Sequence, residues 1–290
     1  MDRNKVEDVS TSLVDAKISE LGSWFNEAGR VVVALSGGVD STVLAALGHR
    51  VLGDDSLAVT AVSPSLSHEE LEGVRGFAGQ YSLNYLEVLT DEIDDPDYVR
   101  NAPNRCYVCK SHLFEKLAPV ARERNATVVV GTNLDDLGDF RPGIQAAKDY
   151  NVASPFVHCG VGKAMVRSIA HSLGLDAVAE KPASACLASR IPYGVPVTIQ
   201  RLSAVERLEL FLHRMGHQEV RVRHHGDIAR IELPPKDFQA ALANRERIVS
   251  EAERLGFLYS TLDLGGFSSG SMNRVLGRKS SDEGDRQTLV

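Results

Sequence analysis

The 290-residue chain is 43% hydrophobic and carries a formal net charge of −7, enough for a substantial core and a length that suggests about two domains. The acidic balance argues against a broad nucleic-acid surface. No apolar run approaches the roughly eighteen residues of a membrane span, and the start, with Asp2, Arg3, Asn4, Lys5 and Glu7, is too polar for a signal peptide, so a cytoplasmic protein is expected. Four cysteines, two of them in a Cys-x-x-Cys pair, then point to a metal, cluster or redox site rather than to disulfide staples.

Residues 1–12 are expected to be flexible, and Leu13 to Ala28 carries apolar residues at helical spacing, with Leu13, Ile18, Leu21 and Phe25 prominent. Residues 31–35 form a continuous apolar, β-branched-rich run, as a strand covered on both faces would. Val39, Val43, Leu44, Leu47 and Val51 then recur at helical spacing, so the period switches across Ser36-Gly37-Gly38-Val39-Asp40-Ser41-Thr42. Two glycines allow close backbone approach to a ligand. The helix N-terminus offers unpaired N–H groups, and Ser36, Ser41 and Thr42 add hydroxyls, a combination suited to a phosphate chain. Bare phosphate would repel Asp40, which therefore makes sense as a ligand of bridging Mg²⁺. The turn has no Walker A lysine. It resembles instead the pyrophosphate loop of the N-type ATP pyrophosphatases, which split ATP to AMP and pyrophosphate to activate a carboxyl or carbonyl oxygen.

Farther along, Leu57 to Val62 and Asn84 to Leu89 read as strands flanking a helix from His68 to Tyr81, an alternation that implies α/β architecture with a doubly wound parallel sheet. Asp91 to Pro103 reads as a loop leading to Asn104-Arg105-Cys106-Tyr107-Val108-Cys109-Lys110 and a helix as far as Arg124. Thr127 to Val130 is a further strand, ending in Gly131-Thr132-Asn133-Leu134-Asp135-Asp136; ligands of open α/β sheets bind beyond such strand ends, which places this segment near the phosphate loop. Leu137 to Gly162 shows little periodicity and is expected to be a long functional loop. Lys163 to Leu173 is a helix with Lys163 and Arg167 one turn apart, and Ala177 to Ala179 is expected as the last strand of the sheet. The prolines and glycine of Ile191 to Pro196 suit a linker, so the first domain is expected over residues 13–196.

Residues 197–278 read as a smaller α+β domain, with a helix from Leu202 to Met215 and a strand pair, Glu219 to Arg223 and Asp227 to Leu233. Two further helical stretches reach Leu255, and a strand runs from Phe257 to Leu264. In the strand pair Val220 and Val222 alternate with Arg221 and Arg223, while Ala229, Ile231 and Leu233 alternate with Arg230 and Glu232. This predicts one apolar and one basic face, the latter either a solvated surface or a binding surface. Gly265 to Met272 is glycine- and serine-rich, and residues 279–290 are expected to be a disordered tail.

The cysteines leave several readings open. Cys106 and Cys109 have the spacing of a metal or cluster knuckle, but no second Cys-x-x-Cys completes a tetrahedral zinc set. Cys186 is the natural third ligand, and three thiolates suit a [4Fe–4S] cluster with one open iron. Cys159 either completes the set or is a buried packing residue. Incidental packing of the pair, or a zinc site shared between subunits, are the bland alternatives.

Taken together, Ser36 to Thr42, Arg105 to Lys110, Gly131 to Gly143, Lys181 to Gly194, Arg221-Val222-Arg223-His224 and Asp227 to Glu232 resemble the LarE family, from about residue 13 to residue 277. These are ATP-dependent sulfur transferases of nickel-pincer cofactor biosynthesis for lactate racemase. The resemblance implies a PP-loop fold and adenylation of pyridinium-3,5-biscarboxylic acid mononucleotide, followed by conversion of the acyl-adenylate to a thiocarboxylate. It implies phosphate contacts from Ser36, Gly37, Gly38, Ser41 and Thr42, with Asp40 on Mg²⁺ and Lys163 and Arg167 facing pyrophosphate. Gly131 and Asn133 would border the nucleotide, and Arg190, Arg223 and Arg230 would hold the substrate's phosphate and carboxylates. Family members with a single cysteine at the position of Cys186 sacrifice its sulfur. Those with three hold a cluster, the group in which Cys106, Cys109 and Cys186 place this chain. A homo-oligomer, a hexamer by the same resemblance, is implied as well. The rival readings are another adenylating enzyme, such as a tRNA thiolase or an amidotransferase-type synthetase, and a nucleotide sensor without turnover; Lys163, Arg167 and the cysteines favour an enzyme.

Overall fold

The apolar run after Arg30 folds as β1 (Val31–Ala34), an inner strand of a four-stranded parallel sheet. Val31, Val33 and Leu35 pack into one core and Val32 and Ala34 into another on the opposite face, the two-sided burial that a continuous apolar run predicts. The computed structural model describes residues 11–138, 142–182 and 185–268. The expected flexible start up to residue 10, the glycine- and serine-rich stretch from residue 269, the tail 279–290, Asp139 to Arg141 and Ala183-Ser184 lie outside the described residues.

In chain order, α1 (Thr11–Ala28) precedes β1, and α2 (Val39–Leu52) leads to β2 (Ser56–Val62). Next come α3 (His68–Gln80), β3 (Asn84–Leu89), the short α4 (Pro96–Val99), α5 (Arg105–Arg124) and β4 (Thr127–Val129). The strand order is β3-β2-β1-β4, with Val31 in register with Ser56 on one side and Thr127 on the other. The seam of α1 runs through Val14, Ile18, Leu21 and Phe25; Leu13, expected in it, is 48% exposed, because it lies one position off that stripe. α1, α2 and α3 cover one sheet face, α5 the other.

The segment 137–162, expected to be irregular, contains α6 (Pro142–Asp149) and α7 (Pro155–His158). Each opens on a proline, whose missing N–H costs nothing in a first turn. Between them Ala153 forms a parallel bridge with Val129. α8 (Lys163–Ser172) follows as expected. Ala177 to Ala179 is not a strand: it belongs to α9 (Asp176–Ala179), a single turn in which Ala179 N bonds Leu175 O and Glu180 N bonds Asp176 O. Three small apolar residues carry no period, and α9 packs on α8 instead of extending the sheet.

The chain divides into two compact units, Met1–Tyr98 with Ala102–Ser184, and Val99–Asn101 with Ala185–Val290. The second contains α10 (Ile199–Arg214), β5 (Arg221–His225), β6 (Ile228–Glu232), α11 (Phe238–Ala243), α12 (Arg245–Arg254) and β7 (Tyr259–Leu262). Its sheet has the order β5-β6-β7, antiparallel then parallel. Buried Asn101 donates through Nδ2 to the carbonyls of Pro192 at 2.8 Å and Val195 at 3.0 Å, which fixes the proline-rich stretch within this unit. The expected alternation of β5 is present, but over its first three residues neither face is solvated: Arg221, Val222 and Arg223 are all buried.

Candidate active site

The sheet of the first unit reverses its winding between β1 and β4, so the loops that follow these two strands flank the crevice where open α/β sheets bind ligands. After β1, Gly37 turns the chain with φ +80, and a Cβ there would lie 2.8 Å from Val74 Cγ2, so only glycine fits. Ser41 Oγ closes the turn, accepting from Ser36 N and donating to the Gly38 carbonyl, both at 3.1 Å. Ser36 is exposed, while Ser41 and Thr42 are buried in the loop's own frame. Gly38 caps α2 without a side chain, so the first amides of the helix point at the crevice as an anion site.

Asp40 sits in the first turn of α2. Its Oδ2 meets Lys163 Nζ at 2.5 Å, and its Oδ1 accepts from Asn133 Nδ2 at 3.1 Å. Asn133 is buried and locked by its neighbours: its N–H donates to Asp136 Oδ2 at 3.0 Å, and its Oδ1 accepts from Asp135 N at 3.0 Å. Asp135 also accepts from the backbone N–H of Lys163, and so caps α8 where Gly162 has no side chain to do it. A Cβ on Gly131 would stand 2.7 Å from Ser41 N, so glycine is what lets the segment after β4 touch the start of α2. The structure thus gathers Asp40, Gly131, Asn133 and Lys163 around the loop.

Arg167 goes elsewhere. Its guanidinium donates to the carbonyls of Ala179 and Lys181, the latter at 3.2 Å. A second cation at the loop, beside Lys163, is one that sequence reasoning passed over: Lys181 Nζ donates to the Gly37 carbonyl at 2.9 Å and to Glu70 Oε2 at 2.6 Å. A signal for Glu70 was present in Ser67-His68-Glu69-Glu70, the serine-to-glutamate spacing of a capping box; Ser67 does cap α3, accepting from Glu70 N at 3.2 Å. Beside the loop lies a cleft of about 470 Å³, lined in part by Gly37, Thr42, Val74, Phe77, Tyr81 and Lys181.

All four cysteines are thiols rather than disulfides. Cys106 is exposed and Cys109 half-buried in the opening turns of α5, where i,i+3 spacing puts both on one side. Cys186, in the second unit, is exposed and caps the short turn Leu187–Arg190. The accessibility and spacing of the pair fit a cluster knuckle. Within either unit the described residues gather no group of three His, Cys, Asp or Glu side chains able to hold a metal. Cys159 is buried in the core against α1, and burial pushes its thiol above its ordinary pKa.

In the second unit the candidate arginines are tied to carboxylates, Arg190 and Arg223 buried and Arg230 partly exposed. Arg190 pairs bidentately with Glu209 at 3.0 Å for both contacts and donates to the carbonyls of Ala185 and Cys186. Arg223 meets Glu232 at 2.9 Å and the Ser189 carbonyl at 3.2 Å. Arg230 meets the other Glu232 oxygen at 2.9 Å. Burial, reinforced by Arg190 and Arg223, holds Arg221 below its ordinary pKa, and the group lies over the Phe267 ring at 4.9 Å.

The chain is 36% identical over 262 residues to the pyridinium-3,5-bisthiocarboxylic acid mononucleotide synthase of Lactiplantibacillus plantarum, covering 90% of this chain and 95% of that protein. The chain belongs to the LarE family. A second relative, the uncharacterized protein slr1717 of Synechocystis, is 44% identical over 267 residues, 91% of this chain and 99% of its own length. The pattern of the NAD synthase family matches residues 13–127. The glutamine-hydrolyzing GMP synthase of Clostridium botulinum is 29% identical over 170 residues, 56% of this chain and 29% of that protein. The LarE-family sheet and loop are therefore those of a PP-loop ATP pyrophosphatase, and the chain is an enzyme of this ATP-dependent class. No helix among the described residues is long and apolar enough to cross a membrane.

Proposed function

We propose that this enzyme adenylates the carboxylates of pyridinium-3,5-biscarboxylic acid mononucleotide and converts them to thiocarboxylates. The observation that carries the reading is the Asp40–Lys163–Asn133 constellation at the phosphate loop, in a chain similar over nine-tenths of its length to a synthase of the bisthiocarboxylic mononucleotide. A substrate carboxylate oxygen attacks the α-phosphorus of ATP, the bond to the β-phosphate oxygen breaks, and pyrophosphate leaves. Sulfide then adds to the acyl carbon and expels AMP, a far better leaving group than an oxide. Asp40 is the residue that would hold Mg²⁺, which would supply charge neutralisation of the phosphates, and Lys163 and the α2 amides would face the departing pyrophosphate. Arg190, Arg223 and Arg230 supply positive charge for the substrate's anionic groups.

Cys106, Cys109 and Cys186 are the proposed ligands of a [4Fe–4S] cluster. When bound, such a cluster supplies a place where exogenous sulfide is held for transfer. The pair in α5 favours this over sacrifice of the Cys186 sulfur. Anaerobic reconstitution tests it: Cys→Ala at 106, 109 or 186 removes the broad visible absorption and multiple turnover with sulfide, and Cys159→Ala keeps both. Dehydroalanine at residue 186 after turnover, with Cys106 and Cys109 dispensable, would establish the sacrificial route instead. A homo-oligomer is part of the same proposal, and light scattering of the purified enzyme reads it directly.

A further inference from the structure

Lys181 and Glu70 lie 111 residues apart in sequence and meet at the phosphate loop. The ammonium is shared between the Gly37 carbonyl and the Glu70 carboxylate, and both side chains are partly open, at 32% and 18% exposure. Neither group belongs to a core. Arg167 holds the backbone from which Lys181 projects, through the carbonyls of Ala179 and Lys181 itself. Across the same loop, Lys163 is held on Asp40 in the same manner. The loop thus carries two cations, each on its own carboxylate, and the four charges sum to zero.

An ATP triphosphate or the pyrophosphate it releases brings several negative charges into this neutral setting. A partly exposed ion pair is cheap to open, so a polyphosphate oxygen can displace a carboxylate that water then solvates. We propose that Lys181 is a polyphosphate-binding residue, that Glu70 is the counter-ion which competes with phosphate for it, and that Arg167 is a positioning residue acting through the Lys181 backbone. Glu70 keeps the ammonium at the loop between turnovers and weakens retention of pyrophosphate after cleavage, which favours product release. This rests on the ATP dependence of the family and not on the identity of the acylated substrate.

Calorimetric titration of the full chain with MgATP, Mg-pyrophosphate and AMP tests the assignment. Lys181→Met should weaken MgATP and Mg-pyrophosphate about tenfold, as loss of a charge-assisted contact does, and leave AMP within about twofold. Glu70→Gln should tighten both polyphosphate ligands by roughly two- to fivefold, the scale of a partly exposed ion pair. In the Lys181→Met background Glu70→Gln should change nothing, and Lys181→Arg should recover most of the affinity. The proposal is overturned if Glu70→Gln weakens MgATP or leaves it unchanged, or if Lys181→Met affects AMP as strongly as pyrophosphate. Should Lys181→Met fail to fold, the sign of the Glu70→Gln effect still decides. If the enzyme formed no thiocarboxylate from the pyridinium mononucleotide, these binding constants would be untouched, so the two readings fail separately.

Discussion

Asp40 and Lys163 meet at 2.5 Å with their side chains 22% and 34% exposed, whereas Arg223 and Glu232 meet at 2.9 Å with theirs 2% and 0% exposed. The first pair, in the sheet unit, contributes little by being joined and loses little by being parted. It is therefore free to exchange partners. The second pair cannot be parted without leaving a charge stranded in a poorly solvated interior. Arg223 is therefore fixed in one orientation by Glu232 and the Ser189 carbonyl. The same kind of bond thus serves as an exchangeable contact in one unit and as a fixed scaffold in the other.

The contrast can be broken most sharply at the loop. Asp40→Ala should lower pyrophosphate release by roughly 10³-fold, the scale of losing electrostatic stabilisation of a phosphoryl transition state, while circular dichroism and the melting temperature stay unchanged. Release at the wild-type rate would remove Asp40 from the mechanism. In the second unit the effect should fall on stability: Glu232→Ala should cost roughly 3–5 kcal/mol in urea unfolding, because Arg223 loses its buried partner. A cost below about 1 kcal/mol would class that pair with exposed ones. Gly131→Ala sharpens the comparison geometrically. Its Cβ must displace the start of α2, so a cost of about 1–3 kcal/mol together with weaker MgATP binding is expected, and unchanged affinity would mean that the approach does not matter to the nucleotide.

The smallest effect concerns His112 on α5, whose ring nitrogens meet Asp91 at 3.0 Å and Asp95 at 2.9 Å, with Lys116 also on Asp91. Burial opposes its charge, but hydrogen bonds that its ring N–H groups donate to Asp95 and Asp91 raise its pKa above the ordinary value. Asp91 is lowered to about 2, chiefly by Lys116 and His112, and Asp95 is lowered chiefly by His112. A raised histidine stabilises below its unfolded pKa and loses that contribution as pH rises through the folded value. The lowered carboxylates lose theirs only as pH falls through their folded values. The clamp is therefore strongest from about pH 4 to about pH 6.5. Thermal melts should show wild-type stability falling above that range relative to His112→Gln; parallel curves would remove His112 from the pH response.

Much of the sheet unit was legible because each signal was local. The apolar run 31–35, the switch of period at Val39 and the glycines of the turn all lie within about two dozen residues, and β1 and α2 formed where they indicated. The failures are equally physical. Ala177 to Ala179 is too short to carry a period, and the hydrogen bonds that decide for a helix come from Leu175 and Asp176. Lys163 at Asp40 agrees with its helical position, but one turn of spacing could not show that Arg167 would meet carbonyls of the chain beyond α9. The alternation of valine and arginine in β5 was readable; the burial of its arginine face was not, because Glu232, the partner of Arg223, comes from the neighbouring strand. Lys181 at Gly37 is the same case, a contact across 144 residues with no local trace.

The bridge between Val129 and Ala153 bears on how this protein avoids its own kind of aggregation. Ala153 N donates to Val128 O at 2.9 Å and Val130 N to Ala153 O at 3.0 Å, so the backbone groups on the outer side of β4 are occupied by a fragment of the same chain. A parallel sheet that winds both ways from its centre would otherwise present two open borders to other molecules, each a template for strand addition. Here one border is closed from within. The other, β3, carries Glu87 tied to Arg75 by contacts of 2.7 Å, a fixed charge that an incoming strand would have to bury. A few residues between two short helices thus help to keep a sheet of largely apolar inner strands from growing beyond the single chain that built it.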